Sequence, residues 1–161
     1  MAALDIVDRD RAEGLIVGAA VDEYDRHTRV AQAREGSEIV ELAALTVLQG
    51  RAAGEGLVAR ERGERPDAVF AANDLLAVGL MQALSLLADV RVPDDIALIG
   101  YDDIDFAAAT VVPLSSIRQP AHLIGYTAVD LLLRQLAAPG DDHERNVRFR
   151  PELVVRASTA G

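Results

Sequence analysis

Apolar residues in this chain fall into short runs that stop abruptly and longer ones that do not. The runs AVFAA (68–72) and IALIG (96–100) end in polar pairs, Asn73-Asp74 and Asp102-Asp103. Short runs of this kind, bounded by turn residues, predict buried strands. Between them lies a longer apolar segment without proline, in which Leu76, Leu80, Ala83, Leu84 and Leu87 recur at helical spacing. The pattern predicts strand, helix, strand, and a crossover helix of that length makes the two strands parallel. Their carboxyl ends then share one edge of the sheet, the edge where open α/β sheets bind ligands. Asn73 and Asp102 stand at those two ends. Leu75, Val78 and Met81 make the far side of the helix apolar as well. A helix apolar all round is covered on both sides. This one therefore faces either a second subunit or another element of a larger domain. Asp74 occupies the position predicted for its N-cap.

Around this unit the pattern is weaker, and residues 1–36 carry the least signal. Residues 11–25 (RAEGLIVGAAVDEYD) place Leu15, Ile16, Ala19 and Ala20 at helical spacing and predict a helix. The polar stretch 26–37 reads as a loop or a frayed helix end. A strand starts in 38–45 (EIVELAAL), and Thr46 follows as the N-cap of a helix that stops at Gly63, before Pro66. Gly50, Gly54 and Gly56 each cost that helix about 1 kcal/mol against alanine. Packing must hold it, and small residues permit close approach to a sheet. Beyond Asp103, Pro113 and Pro120 bracket LSSIRQP (114–120), which predicts a short edge strand or a connector. Residues 122–136 (HLIGYTAVDLLLRQL) predict another strongly apolar helix. Phe149, Leu153 and Val155 then mark a final strand despite Pro151.

Composition narrows the class. A chain of 161 residues, half of them apolar, has the length for one domain with a real core. It contains no cysteine, which removes disulfides, thiolate catalysis and thiolate metal sites. All basic residues are arginine, and the net charge of −10 repels phosphate backbones. Nucleic acid is therefore not expected as a direct partner. The chain opens without a basic segment followed by an apolar one, and it has no apolar run long enough to span a bilayer. A soluble, cytoplasmic protein without membrane contact is expected.

Candidate chemistry concentrates at the two strand ends. An asparagine side chain donates and accepts, while a carboxylate accepts two hydrogen bonds. Together Asn73 and Asp102 suit sugar hydroxyls or the ring nitrogens of a base. A structural alternative stays open, in which Asn73 makes a turn and Asp74 caps a helix. Asp102, Asp103 and Asp105 match no complete ion-binding loop and read as a solvated acidic turn. His27, His122 and His143 have no carboxylate or second histidine at ligand spacing. Nucleophile elbow, phosphate loop and paired-histidine zinc motif are all missing from the sequence. Neither metal nor cofactor is expected, and the chain reads as a binding module rather than an enzyme.

Five segments in register carry a family resemblance: PDAVFAANDLLAVG, VPDDIALIGYDDI, PLSSIRQP, IGYTAVDLLL and PELVVRAST. Over 46–159 they resemble the effector-binding domain of the LacI/GalR family of bacterial transcription repressors. The resemblance implies an α/β fold, an open, mostly parallel sheet with flanking helices, periplasmic-binding-protein-like and comprising mainly the second of two lobes. It implies that Asn73 and Asp102 contact a small sugar-like effector, and that Arg11, in RAEGL, reaches the same ligand. Leu45 falls where the family often places a stacking aromatic, which argues against a flat aromatic effector. The resemblance also implies a homodimer surface including Leu75, Val78, Met81, Ala107 and Val111. Residues 1–113 and 147–159 would form the second lobe. Residues 114–146 would supply a connector and a helix that packs on the first lobe. The chain would reach DNA only through a helix-turn-helix module that this sequence lacks. With its usual cover missing, the helix at 122–136 is expected to drive association. Two other readings are a fragment of a solute-binding protein for sugar transport and a small α/β enzyme using Asp102 as a base.

Overall fold

The computed structural model of the chain describes residues 14–19, 38–88, 90–138 and 146–160. Six strands form one sheet: β1 (Gly14–Ala19), β2 (Glu38–Leu42), β3 (Ala68–Ala71), β4 (Ala97–Tyr101), β5 (Ser115–Arg118) and β6 (Glu152–Val154). Their order is β2-β1-β3-β4-β5-β6, with the first five parallel and β6 antiparallel to β5. Three helices accompany them: α1 (Val47–Val58), α2 (Asp74–Gln82) and α3 (Ala121–Ala137). The chain leaves β1 toward β2 on one side, and β3 then continues on the other. The order therefore reverses at β1, which makes its carboxyl end a topological switch point.

The predicted strand–helix–strand unit is present as β3, α2 and β4. Its register, Ala68↔Ala97 to Phe70↔Ile99, is parallel. α2 continues beyond Gln82 as a π-helical turn, Ala83–Leu87. Leu76, Leu80 and Leu84 from this continuous helix are fully buried, in one cluster with Val69, Ile96, Leu98 and Leu114. The opposite side of α2 is covered by α1, so the second covering partner lies within the chain. The α1–α2 contact is made at backbone distance. A Cβ on Gly50 would run into the Leu76 carbonyl, and one on Gly79 into the Val47 carbonyl. A Cβ on Gly54 would lie 2.6 Å from that of Ala83. The glycines that weaken α1 are thus what brings it onto another helix, rather than onto the sheet.

Four expectations are corrected. Within 11–25, residues 14–19 are a strand and not a helix. β1 has partners on both sides, and an interior parallel strand is a continuous apolar run that period alone does not separate from a buried helix. α1 begins at its Thr46 cap, whose Oγ1 accepts from the Gln49 amide at 3.3 Å, but it ends at Val58 and not at Gly63. The 114–120 segment is an interior strand, since β5 pairs with both β4 and β6. Its prolines flank the paired residues and remove none of their hydrogen bonds. At α2 the N-cap is Asn73, one residue earlier than expected.

β6 and the tail behind it close the far side. Ser158 is fully buried; its Oγ donates to the Leu98 carbonyl at 2.6 Å and accepts from the Ser115 amide at 2.8 Å. α3 contrasts with everything else. None of its residues is buried, and Leu123, Tyr126, Val129, Leu132, Leu133 and Leu136 are each more than half exposed. Among the described residues no helix is long and apolar enough to cross a membrane.

The glycine contact gives a direct test. Gly79→Ala forces a methyl into the α1 backbone and is expected to cost about 1–3 kcal/mol, the usual range for overpacking. Gly56→Ala lies on the same helix pair but meets nothing within 4 Å. It is expected to stabilise by up to about 1 kcal/mol. Urea unfolding midpoints of the two variants should move in opposite directions.

Candidate functional site

Each strand of the parallel sheet ends at the same rim, and the residues just beyond those ends decide the chemistry the rim offers. Asn73 comes after β3, Asp102 after β4 and Gln119 after β5, and the loop beyond β2 carries Leu45. Asn73 and Asp102 are both half-buried and stand on neighbouring strands, as the crossover argument requires.

Asn73 is the cap of α2. Its Oδ1 accepts from the Leu76 amide at 2.9 Å, and its Nδ2 donates to the Leu45 carbonyl at 3.3 Å. The structural role foreseen as an alternative is therefore real, although it falls to Asn73 and not to Asp74. It does not exhaust the side chain, since an amide has two N–H groups and two oxygen lone pairs. One of each is left at the rim. Leu45 contributes its carbonyl to this contact, while its side chain packs against the core cluster.

Asp102 sits in an unusual turn. Its φ is 106° and that of Asp103 is 53°, so two successive non-glycine residues adopt left-handed backbone. Each costs about 1 kcal/mol or more. The Asp102 amide donates to the Ile117 carbonyl at 2.9 Å, which ties the turn to β5. Its Oδ1 accepts from Gln119 Nε2 at 2.6 Å, and Oδ2 takes no hydrogen bond from any described residue. Gln119 was not singled out from the sequence. The sequence placed it inside the 114–120 segment, and only the end of β5 at Arg118 makes it a residue that follows a strand.

Two further aspartates lie behind the rim. Asp74 is fully buried; its Oδ1 accepts from Ser116 Oγ at 2.6 Å and its Oδ2 from the Ile104 amide at 2.8 Å. Burial pushes its carboxyl up, the bonds from Ser116 and Ile104 oppose that, and the nearby charges of Asp102 and Asp103 add to it. Asp103 takes the opposite direction. Burial would raise its carboxyl, but Arg156 and Arg118 together hold it below the usual range. Arg118 donates to Oδ2 through Nε at 2.7 Å. Arg156 Nη1 lies 2.7 Å from Oδ1 as an ion pair, while its N–H is directed at the Leu114 carbonyl. Among the described residues there is no group of three or more His, Asp or Glu that could hold a metal ion.

Toward the described residues, the capacity still open at the rim is thus the Asp102 Oδ2, the Gln119 Oε1, and one donor and one acceptor of Asn73. That set complements a small polar molecule rich in hydroxyl groups. A model of the periplasmic binding protein-like domain matches residues 9–159. The chain belongs to that family.

Relatives of this periplasmic binding protein-like domain include transcriptional repressors. It is 44% identical over 96 residues to the HTH-type transcriptional repressor PurR of Photobacterium profundum, covering 59% of this chain and 28% of that protein. It is also 44% identical over 94 residues to the ribose operon repressor of Escherichia coli K12, covering 58% of this chain and 28% of that protein. The alignments with these curated relatives therefore span under a third of their length. Among solved structures it is similar to a LacI family transcriptional regulator from Enterococcus faecalis V583 with bound ribose. That match has a TM-score of 0.78 and 28% identity, over 93% of this chain and 55% of the other.

The remaining site residues of the domain divide sharply. Arg11 lies outside the described residues. Of the surface expected to form a dimer, Val78, Met81 and Ala107 are largely buried within this chain, at 7%, 3% and 0% exposure. The physical reason is the α1 cover on α2 and the 3₁₀ turn Asp105–Ala109, which folds Ala107 inward. Leu75 and Val111 do face solvent, at 42% and 78% exposure, with Phe106 at 56% beside Ala107 in sequence.

Two stability measurements test this arrangement. Asn73→Ala removes an N-cap and is expected to cost about 1 kcal/mol, read from thermal unfolding. Asp103→Asn is expected to cost about 1–3 kcal/mol at neutral pH, since it weakens a charge-assisted bond to Arg118 and removes the ion pair with Arg156. Because the folded-state carboxyl lies below its unfolded value, this contribution is complete above about pH 4 and is lost as pH falls through the folded value. The gap between wild type and variant should therefore close in acid.

Proposed function

We propose that this chain is the ligand-sensing part of a LacI-type transcriptional regulator and binds a small, sugar-like effector at the carboxyl rim of the sheet. The observation that carries the reading is the placement of Asn73 and Asp102 on adjacent parallel strand ends, with one Asp102 oxygen taking no hydrogen bond from any described residue. Gln119 joins them as a third contact, and Arg11 completes the set by bridging neighbouring hydroxyls with its guanidinium. In the intact protein, effector binding changes the affinity for DNA of a helix-turn-helix module outside this chain. That coupling requires the effector to bind two conformations unequally. The likeness to the ribose operon repressor and to the ribose-bound regulator supports this reading, as does the absence of a motif for covalent or metal chemistry in the sequence. The regulator works in the cytoplasm as a homodimer, with Leu75 and Val111 in the subunit interface.

The exposed face of α3 belongs to the same proposal. In the intact regulator it packs on the first lobe, which restores the burial that none of its residues has here. In the isolated chain a second copy covers it. Sedimentation should then show association that Leu133→Asp weakens; a monodisperse monomer across concentrations would contradict this.

The effector reading is tested by calorimetry on the intact regulator with a panel of monosaccharides, ribose included, and purines. One of the sugars should bind, and Asp102→Asn should weaken it roughly tenfold or more, equivalent to about 1.4 kcal/mol. Binding that survives the substitution unchanged removes Asp102 from the site.

A further inference from the structure

The turn that presents Asp102 is held from behind by a residue that does not reach the rim. Left-handed backbone at two successive aspartates persists only where the surroundings over-determine it. Three amides do so here. Asp102 N–H donates to the Ile117 carbonyl at 2.9 Å, Asp103 N–H to Ser116 Oγ at 3.0 Å, and Ile104 N–H to Asp74 Oδ2 at 2.8 Å. Ser116 in turn donates its hydroxyl to Asp74 Oδ1 at 2.6 Å. Two of the three restraints therefore end on the Asp74 carboxylate, one directly and one through Ser116. The serine can accept from Asp103 in this geometry because its own proton is committed to Asp74.

The sequence around β4 is shaped to admit this carboxylate. A Cβ on Gly100 would meet Asp74 Oδ1, so only glycine leaves the oxygen room beside the strand. Asp74 is also the first residue of α2, directly after the cap Asn73. It is thus joined by one peptide bond to one rim residue and by hydrogen bonds to the turn that carries the other.

We propose that Asp74 is a positioning residue for effector binding: it fixes the separation and direction of the Asn73 and Asp102 side chains without touching the ligand. The inference rests on reading Asp102 as an effector contact. A carboxylate is needed because both of its oxygens accept at once. An asparagine there accepts through one oxygen only: with that oxygen on Ile104 its N–H group faces Ser116 Oγ, whose own proton loses its acceptor and is free to turn toward the Asp103 amide, weakening that hold.

The test separates the positioning role from the effector reading. In the 161-residue chain, Asp74→Asn should speed hydrogen exchange of the Asp103 and Ile104 amides by about tenfold or more. The amides of Leu98 and Ile99 in β4 should keep their rates, and the Gln119 side-chain amide resonances should shift as Asp102 turns away. Should Asp74→Asn fail to fold, Ser116→Ala serves in its place, with the effect centred on Asp103. A folded variant in which the Asp103, Ile104 and Gln119 resonances stay in place overturns the proposal. The second arm uses D-ribose as probe. If ribose binds, Asp74→Asn should weaken it about tenfold and add nothing further in an Asp102→Asn background. Undiminished binding, or full additivity with Asp102→Asn, overturns the proposal. If wild type ignores ribose while the amide pattern holds, ribose is lost from the effector reading and the hold on the Asp102 turn stands.

Discussion

The burial of α2 between the sheet and α1 is the constraint on which the other features depend. A helix with no polar side can return the chain from β3 to β4 only by being covered twice. The crossover it makes sets β3 and β4 parallel, and parallel pairing brings Asn73 and Asp102 to one rim. The glycines at 50, 54 and 79 are the chemical expression of this constraint. They let two backbones approach so closely that α1 serves as a lid on α2. Leu57, Leu76, Leu80 and Leu84 then close one core with strand residues Val69 and Leu98.

At the rim the chain economises on polar groups. Asn73 satisfies an orphan amide of the helix start and the Leu45 carbonyl, yet retains one donor and one acceptor. Gln119 steadies one oxygen of Asp102, and no other described residue hydrogen-bonds to the second. The half-satisfied state of each side chain fits a site held ready for a ligand, since fully paired groups would have to break bonds to accept one.

Three neighbouring aspartates differ because their surroundings do. Asp102 faces the rim. Asp103 lies between Arg118 and Arg156, which more than offset the effect of burial. Asp74 has no cationic partner among the described residues, so burial dominates and its carboxyl is pushed up, while Ser116 and Ile104 supply the bonds that keep it in place. Two strand ends thus provide a half-buried acceptor, an ion-paired anchor and a buried clamp. With Arg118 reaching Glu152 as well, the anchor joins the Asp103 turn to β5 and β6.

The sequence by itself determined the β3–α2–β4 unit and the identity of the two rim residues. Run length, turn residues and helical spacing are local properties, and one crossover has one hand. It also determined the cap at Thr46 and the strongly apolar character of α3. Only the tertiary structure decided that 14–19 is a strand, because an interior parallel strand and a buried helix share an apolar composition, and the neighbours that distinguish them are far away in sequence. The same distance hid the roles of Gln119, Ser116 and Ser158, whose partners lie on other elements. It likewise hid the shift of the cap from Asp74 to Asn73, which depends on Ser116 and Ile104 drawing the aspartate inward. The dimer surface was the hardest to read, since an apolar residue satisfies a core and an interface equally well, and only packing assigns Val78, Met81 and Ala107 to the core.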